Sequence, residues 1–195
     1  MPHELANLHR IGVKFFLAGD APALDRLVPV FHRWIQDRVV EGLLIDVADY
    51  SHVAKGPGVM LIGHEGNYSL DLGGAGPGVS YWRRRPIAGD LPQRLESICA
   101  IALRAARALA EEGDLGRAGC IRGDVIEIVA NDRLAAPNEA GTEAAFRPAL
   151  DGLLDRLYAG GACELCRDED PRERFNMHVK AAAPADAATL LSRLS

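Results

Sequence analysis

The sequence predicts an α+β fold in which two tandem strand-helix-strand-strand-helix units form one mainly antiparallel sheet with helices on one face. Three observations predict it. Short apolar runs with period-two alternation mark strands, longer stretches carry apolar residues at helical spacing, and the order of these elements occurs twice along the chain.

Taken in order, residues 13–17 read as a first strand, ended by Gly19-Asp20-Ala21-Pro22. A helix follows over residues 25–37, with Leu27, Phe31, Trp34 and Ile35 as its buried stripe. Pro29 is tolerable only in or near the first turn, which places the helix start just before it. Two apolar runs come next, 43–52 and 59–65, joined by the turn residues Ser-His-Val-Ala-Lys-Gly-Pro-Gly. Residues 68–72, the turn GGAGPG and residues 79–83 predict a second hairpin. A long alanine-rich helix spans 92–112, and Gly113 and Gly116 end it.

The pattern then begins again. Residues 125–129 predict a strand, 142–158 a helix with an early Pro148, 162–167 and 175–181 a hairpin, and a short helix starts near Asp186. Aligning Pro29 with Pro148 places LLIDVADY on ACELCRDE, so the chain divides into units at 1–117 and 118–195 within one compact domain. This element order resembles that of the tandem strand-helix-strand-strand proteins of the gyrase-inhibitor-like and haem-binding SOUL group. The resemblance implies a cleft between the units able to take a small molecule.

The composition narrows the class. At 195 residues, 48% apolar and 25% charged, the chain can bury a sizeable core without staples. A net charge of -5 argues against a nucleic-acid partner, and Trp82-Arg83-Arg84-Arg85 is a short basic run. The start MPHELANLHR lacks the apolar core of a signal peptide, and no apolar run suits a membrane span, so the expectation is a cytoplasmic protein without a membrane partner. Cys99, Cys120, Cys163 and Cys166 are expected to be free thiols.

Candidate chemistry centres on the stretch 43–72. One face of its first strand carries Leu43, Ile45, Val47 and Asp49, and the other carries Leu44, Asp46, Ala48, Tyr50 and His52. In one pairing register Asp46 faces His64, an imidazole with a carboxylate to orient it for acid-base work; in the next, Asp46 faces Gly63 and Leu44 faces Glu65. His64 and Asp46 are therefore the candidate catalytic pair. Tyr50, His52 and Glu65, together with Asn131 and Arg133 in the loop after the 125–129 strand, are the candidate ligand-binding residues.

No spacing matches a dedicated metal motif, so no metal is assigned and no cofactor is named. Cys163 and Cys166 form a CxxC, but residues three apart in a strand point to opposite faces. Glu127 shares a strand face with Val125 and Val129 and needs a partner or solvent. The arginines at 83–85 read as charges that guard a sheet edge in preference to an anion site. The repeated Gly-Pro-Gly-Val precedes no helix and reads as hairpin turn both times. The leading expectation is a protein that binds a small molecule or a partner subunit. The alternatives are a hydrolase or lyase using His64 and Asp46, and a structural subunit of a homo-oligomer.

Overall fold

The computed structural model describes residues 5–53, 56–113, 115 and 119–194. Ala54 and Lys55 of the first hairpin loop, Gly116 after the long helix and the first four residues lie outside the described residues. The chain forms β1 (Ile11–Leu17), α1 (Leu24–Asp37), β2 (Leu44–Asp49), β3 (Val59–Gly63), β4 (Gly66–Asp71), β5 (Gly78–Arg83) and α2 (Leu91–Glu111). It continues with β6 (Ile121–Ala130), α3 (Ala140–Tyr158), β7 (Cys163–Cys166), β8 (Asn176–Ala181) and α4 (Ala187–Leu194). All eight strands join one sheet in the order β2-β3-β4-β5-β1-β6-β8-β7, and every pairing is antiparallel.

The α+β class is thus observed, with β1 and β6 paired where the two halves of the chain meet. The two halves are unequal: β1 to β5 belong to the first, and β6 to β8 to the second. That inequality leaves internal duplication a proposal.

Alternation sorts the strand residues by face. Ile11, Val13 and Phe15 of β1 share a face with Val79 and Tyr81 of β5 and with Ile126 and Ile128 of β6, and all are buried. Here α2 packs on β1 and β5, α1 on β2 and β3, and α4 on β6. Trp34 of α1 is 1% exposed and donates its indole N–H to Glu112 at 2.7 Å, which ties α1 to the end of α2.

Local chemistry explains the boundaries. At the start of α2, Asp90 accepts from the Gln93 N–H at 3.0 Å while the Gln93 side chain accepts from the Asp90 N–H, a reciprocal cap with Pro92 in the first turn. α1 begins at Leu24, ahead of the expected start, and Pro29 lies inside it on an exposed position. Likewise α3 begins at Ala140, so Pro148 sits mid-helix.

Two local features depart from simple alternation. First, β2 carries an irregularity between Leu44 and Asp46. Leu44 and Val47 both pack toward the core, while Ile45 is 58% exposed. A bulge of this kind shifts the phase of the strand by one residue, so neither half of the expected alternation runs through. Second, the run 59–65 is not one strand. It ends at Gly63, His64 and Glu65 form a tight turn, and β4 starts at Gly66. A side chain at Gly63 would meet the Gly66 carbonyl at 2.5 Å, so the turn requires glycine there.

Candidate functional site

The pairing register decides the fate of the acid-imidazole pair. Asp46 lies opposite Ile62, and Leu44 opposite Gly63, so His64 faces no residue of β2. The Asp46 carboxylate instead accepts the Val47 N–H at 2.8 Å. His64, exposed in its turn, has Glu65 as its nearest acid, with Nδ1 at 3.9 Å. The structure does not bring Asp46 and His64 together.

Glu65 itself is a fastener. Its carboxylate accepts the Leu43 N–H at 2.9 Å, and this bond is the foremost reason its carboxyl is held below the usual range. Its backbone carbonyl accepts the N–H groups of Arg84 and Arg85 at 2.9 and 3.1 Å. Tyr50 and His52 stand exposed at the β2–β3 loop, where the Tyr50 N–H donates to the Gly58 carbonyl at 2.8 Å. Arg133 donates to the Arg172 carbonyl and braces the loop before β8.

Asp124 is held below the usual carboxylate range first by the Arg122 side chain, which donates to it at 2.6 and 2.9 Å. Lowered folded-state values for Asp124 and Glu65 make the folded chain bind fewer protons than the unfolded one. Their contribution to stability is therefore complete above about pH 4 and is lost as pH falls through the lower folded values. Urea midpoints should drop between about pH 5 and pH 3, and Arg122→Ala should flatten part of that drop. A midpoint constant over that range would refute the assignment.

The face of the sheet opposite the helices is mixed. Across its middle, the register aligns Met60, Ser69, Ser80, Lys14, Glu127 and His178 in one row. Ser69 and Ser80 share a hydrogen bond at 2.7 Å, and Glu127 has His178 at 4.0 Å. Lys14 is only 2% exposed; it donates to the Gly73 carbonyl at 2.7 Å, lies 3.4 Å from Asp71, and sits 5.1 Å from the Phe16 ring centre. Burial of an ammonium is tolerated because each of these groups offsets lost hydration. In β7, Cys163 pairs with Ala181 on the helix side, while Cys166 is exposed and pairs with His178 on the other.

At one end of this face the chain gathers cations that are far apart in sequence. Antiparallel pairing sets the start of β1 beside the ends of both β5 and β6, and the start of β8 beside the end of β6. Arg10 precedes β1, Arg84 and Arg85 follow β5, Asn131 follows β6, and Arg174 lies just before β8. A cavity of about 390 Å³ is lined by Arg10, Arg83, Arg84, Arg85 and Asn131. A second, of about 410 Å³, shares Arg83, Arg84 and Asn131 with it and runs on past Trp82, Asn67 and Met60.

The position of β5 inside the sheet removes the edge-guarding account of these arginines. Arg83 is committed, donating to the Arg85 and Pro86 carbonyls at 2.9 and 3.2 Å. Among the described residues, no carboxylate pairs with Arg10, Arg84 or Arg85. Arg174 stacks 5.0 Å from the Trp82 ring centre and donates to the side-chain amide oxygen of Asn131 at 3.2 Å. A third cavity, beside α2 and also bordered by Arg83, has its acids matched: Arg104 pairs with Glu41, and Glu96 lies 2.6 Å from Arg156. The unmatched Arg10, Arg84 and Arg85 make the cleft at the end of the face opposite the helices the site with unspent binding capacity.

Of the candidate catalytic and ligand-binding residues read from sequence, Asn131 alone lines this cleft, together with Trp82, Arg83, Arg84 and Arg85 of the short basic run. Along the sequence Arg83, Arg84 and Arg85 read as edge-guarding charges in preference to an anion site, and Arg10 and Arg174 carry no signal, because only strand order places β5 inside the sheet and brings these arginines together. Among the described residues no group of His, Cys, Asp and Glu is arranged to hold a metal ion, and no helix is long and apolar enough to cross a membrane. Compared with known proteins, the chain matches no family model, no curated protein and no solved structure.

Proposed function

We propose that the protein binds a small anionic molecule in the arginine-lined cleft at the end of the sheet face opposite the helices. One observation carries this reading: four of the five residues lining the 390 Å³ cavity are arginines, and Arg10, Arg84 and Arg85 have no acid partner among the described residues. Guanidinium groups present forked donors that match carboxylate and phosphate oxygens. The two lobes have the size of small-molecule sites. The hydrolase or lyase alternative needs an Asp46–His64 contact, and the observed register gives it no support.

Calorimetric titration with inorganic phosphate tests the reading. Binding should occur and should weaken as salt is raised, because the screening length shrinks from about 10 Å at 0.1 M to about 3 Å at 1 M. Absence of binding, or binding indifferent to salt, would overturn it.

A second reading, two chains paired through the free edge of β2, is favoured by the exposure of Leu43 (65%) and Ile45 (58%) there. Native mass spectrometry separates the two. A dimer of bare chains that Ile45→Lys dissolves supports edge pairing, and a monomer rejects it.

A further inference from the structure

We infer that the anion is the phosphate of a nucleoside monophosphate, or of a molecule with that chemistry: a planar, hydrogen-bonding ring joined to a phosphate. This rests on the anion-binding reading above and adds the organic half of the ligand.

The second lobe carries the argument. Trp82 presents its indole there as a fixed platform, with its N–H donating to Ser80 at 3.2 Å and Ser80 in turn bonded to Ser69. The inner face of the ring lies flat on Gly12, where any side chain would collide with the indole. Over the ring stands the guanidinium of Arg174, an exposed side chain held to the Asn131 side-chain oxygen by one hydrogen bond. A planar ring can take the place of that guanidinium, or lie beneath it, while Arg174 remains in reach of the neighbouring arginine lobe. Every nucleobase offers such a π-face.

The edges of the platform suit a nucleobase. Asn67 lies directly opposite Trp82 in the β4–β5 register. Its carbonyl oxygen accepts the Gly63 N–H at 3.4 Å, which leaves its two amide N–H donors for a ring nitrogen or carbonyl. Met60 and Pro57 add apolar wall. Asp71, the acid in this lobe, is committed to Lys14 and to the Gly73 N–H at 2.8 Å, so it does not stand as a free charge against a phosphate. Arg84 and Asn131 border both lobes, at the point where ring and phosphate would join.

The test is calorimetric titration of the whole protein with inorganic phosphate, with adenosine, and with the monophosphates of adenosine, guanosine, cytidine and uridine. At least one monophosphate should bind about tenfold or more tighter than phosphate. Trp82→Leu should reduce that advantage to within about twofold and leave phosphate binding in place. In the unaltered protein the same monophosphate should quench Trp82 fluorescence and phosphate should not; Trp34, 1% exposed, supplies the constant background. This second readout keeps the proposal testable where Trp82→Leu fails to fold. The inference falls where no monophosphate exceeds phosphate, where fluorescence does not respond, or where the advantage survives Trp82→Leu. Phosphate binding without these signs leaves the anion site standing and removes the nucleotide, whereas loss of all binding removes both.

Discussion

Replacing Arg84 and Arg85 together by alanine should weaken phosphate binding by about 100-fold or more while leaving the thermal midpoint within a few degrees. The size follows from the chemistry of the contact. A hydrogen bond between a guanidinium and an anion contributes about 1.5 to 3 kcal/mol, and two such groups are removed. The fold should be indifferent because both side chains are exposed and pair with no carboxylate among the described residues. Their structural contribution is made by the backbone, whose N–H groups donate to the Glu65 carbonyl and survive the substitution. Arg133→Ala serves as the control: its side chain braces the loop before β8 and does not line the cleft, so affinity should be unchanged. Equal losses from the control and the double variant, measured by calorimetry, would sink the assignment.

Asp71→Ala should destabilise the protein by about 3 kcal/mol. Lys14 reaches across the face of the sheet with its ammonium almost wholly removed from water, and Asp71 is its carboxylate partner. Removing the acid leaves an unbalanced charge in a place where hydration cannot return, with the Gly73 carbonyl as its remaining anchor. The reverse substitution is different in kind. Lys14→Met keeps the stem that packs against Gly78, and Asp71, with 18% of its side chain exposed, keeps both water and the Gly73 N–H. That change should cost about 1 kcal/mol or less, since an apolar side chain of similar volume often replaces a buried ion without loss. In the Lys14→Met background, Asp71→Ala should then lose most of its cost. Urea unfolding of the four proteins measures the coupling, and a cost for Asp71→Ala equal in both backgrounds would refute it.

Much of the fold was legible because its signals are local. The stripe of Leu27, Phe31 and Trp34 announced α1, and Asp90, Pro92 and Gln93 mark the start of α2 within one residue of the boundary read from alanine content. Both Gly-Pro-Gly-Val segments proved to be hairpin turns. The CxxC geometry also followed from alternation alone, since β7 sends Cys163 and Cys166 to opposite faces. The turn at His64 and Glu65 had a local signal as well, in the glycines at 63 and 66, but the apolar run before it masked the break. The irregularity at Ile45 had none: alternation read across it assigns one face to Ile45 and Val47, and the bulge separates them.

What the amino-acid order determined by itself is therefore most of the elements and, outside β2, the faces they bury, because helix and strand periods are properties of neighbouring residues. Strand order, register and the cleft were decided only by the tertiary structure. Arg10, Arg84, Asn131 and Arg174 carry no mutual signal along the chain. They meet because β1, β5, β6 and β8 run alternately up and down, which stacks the start of one strand beside the end of the next. The same rule separated Asp46 from His64: pairing is set by packing across the whole sheet, and with Asp46 opposite Ile62 and Leu44 opposite Gly63, His64 falls in the turn past the start of β2.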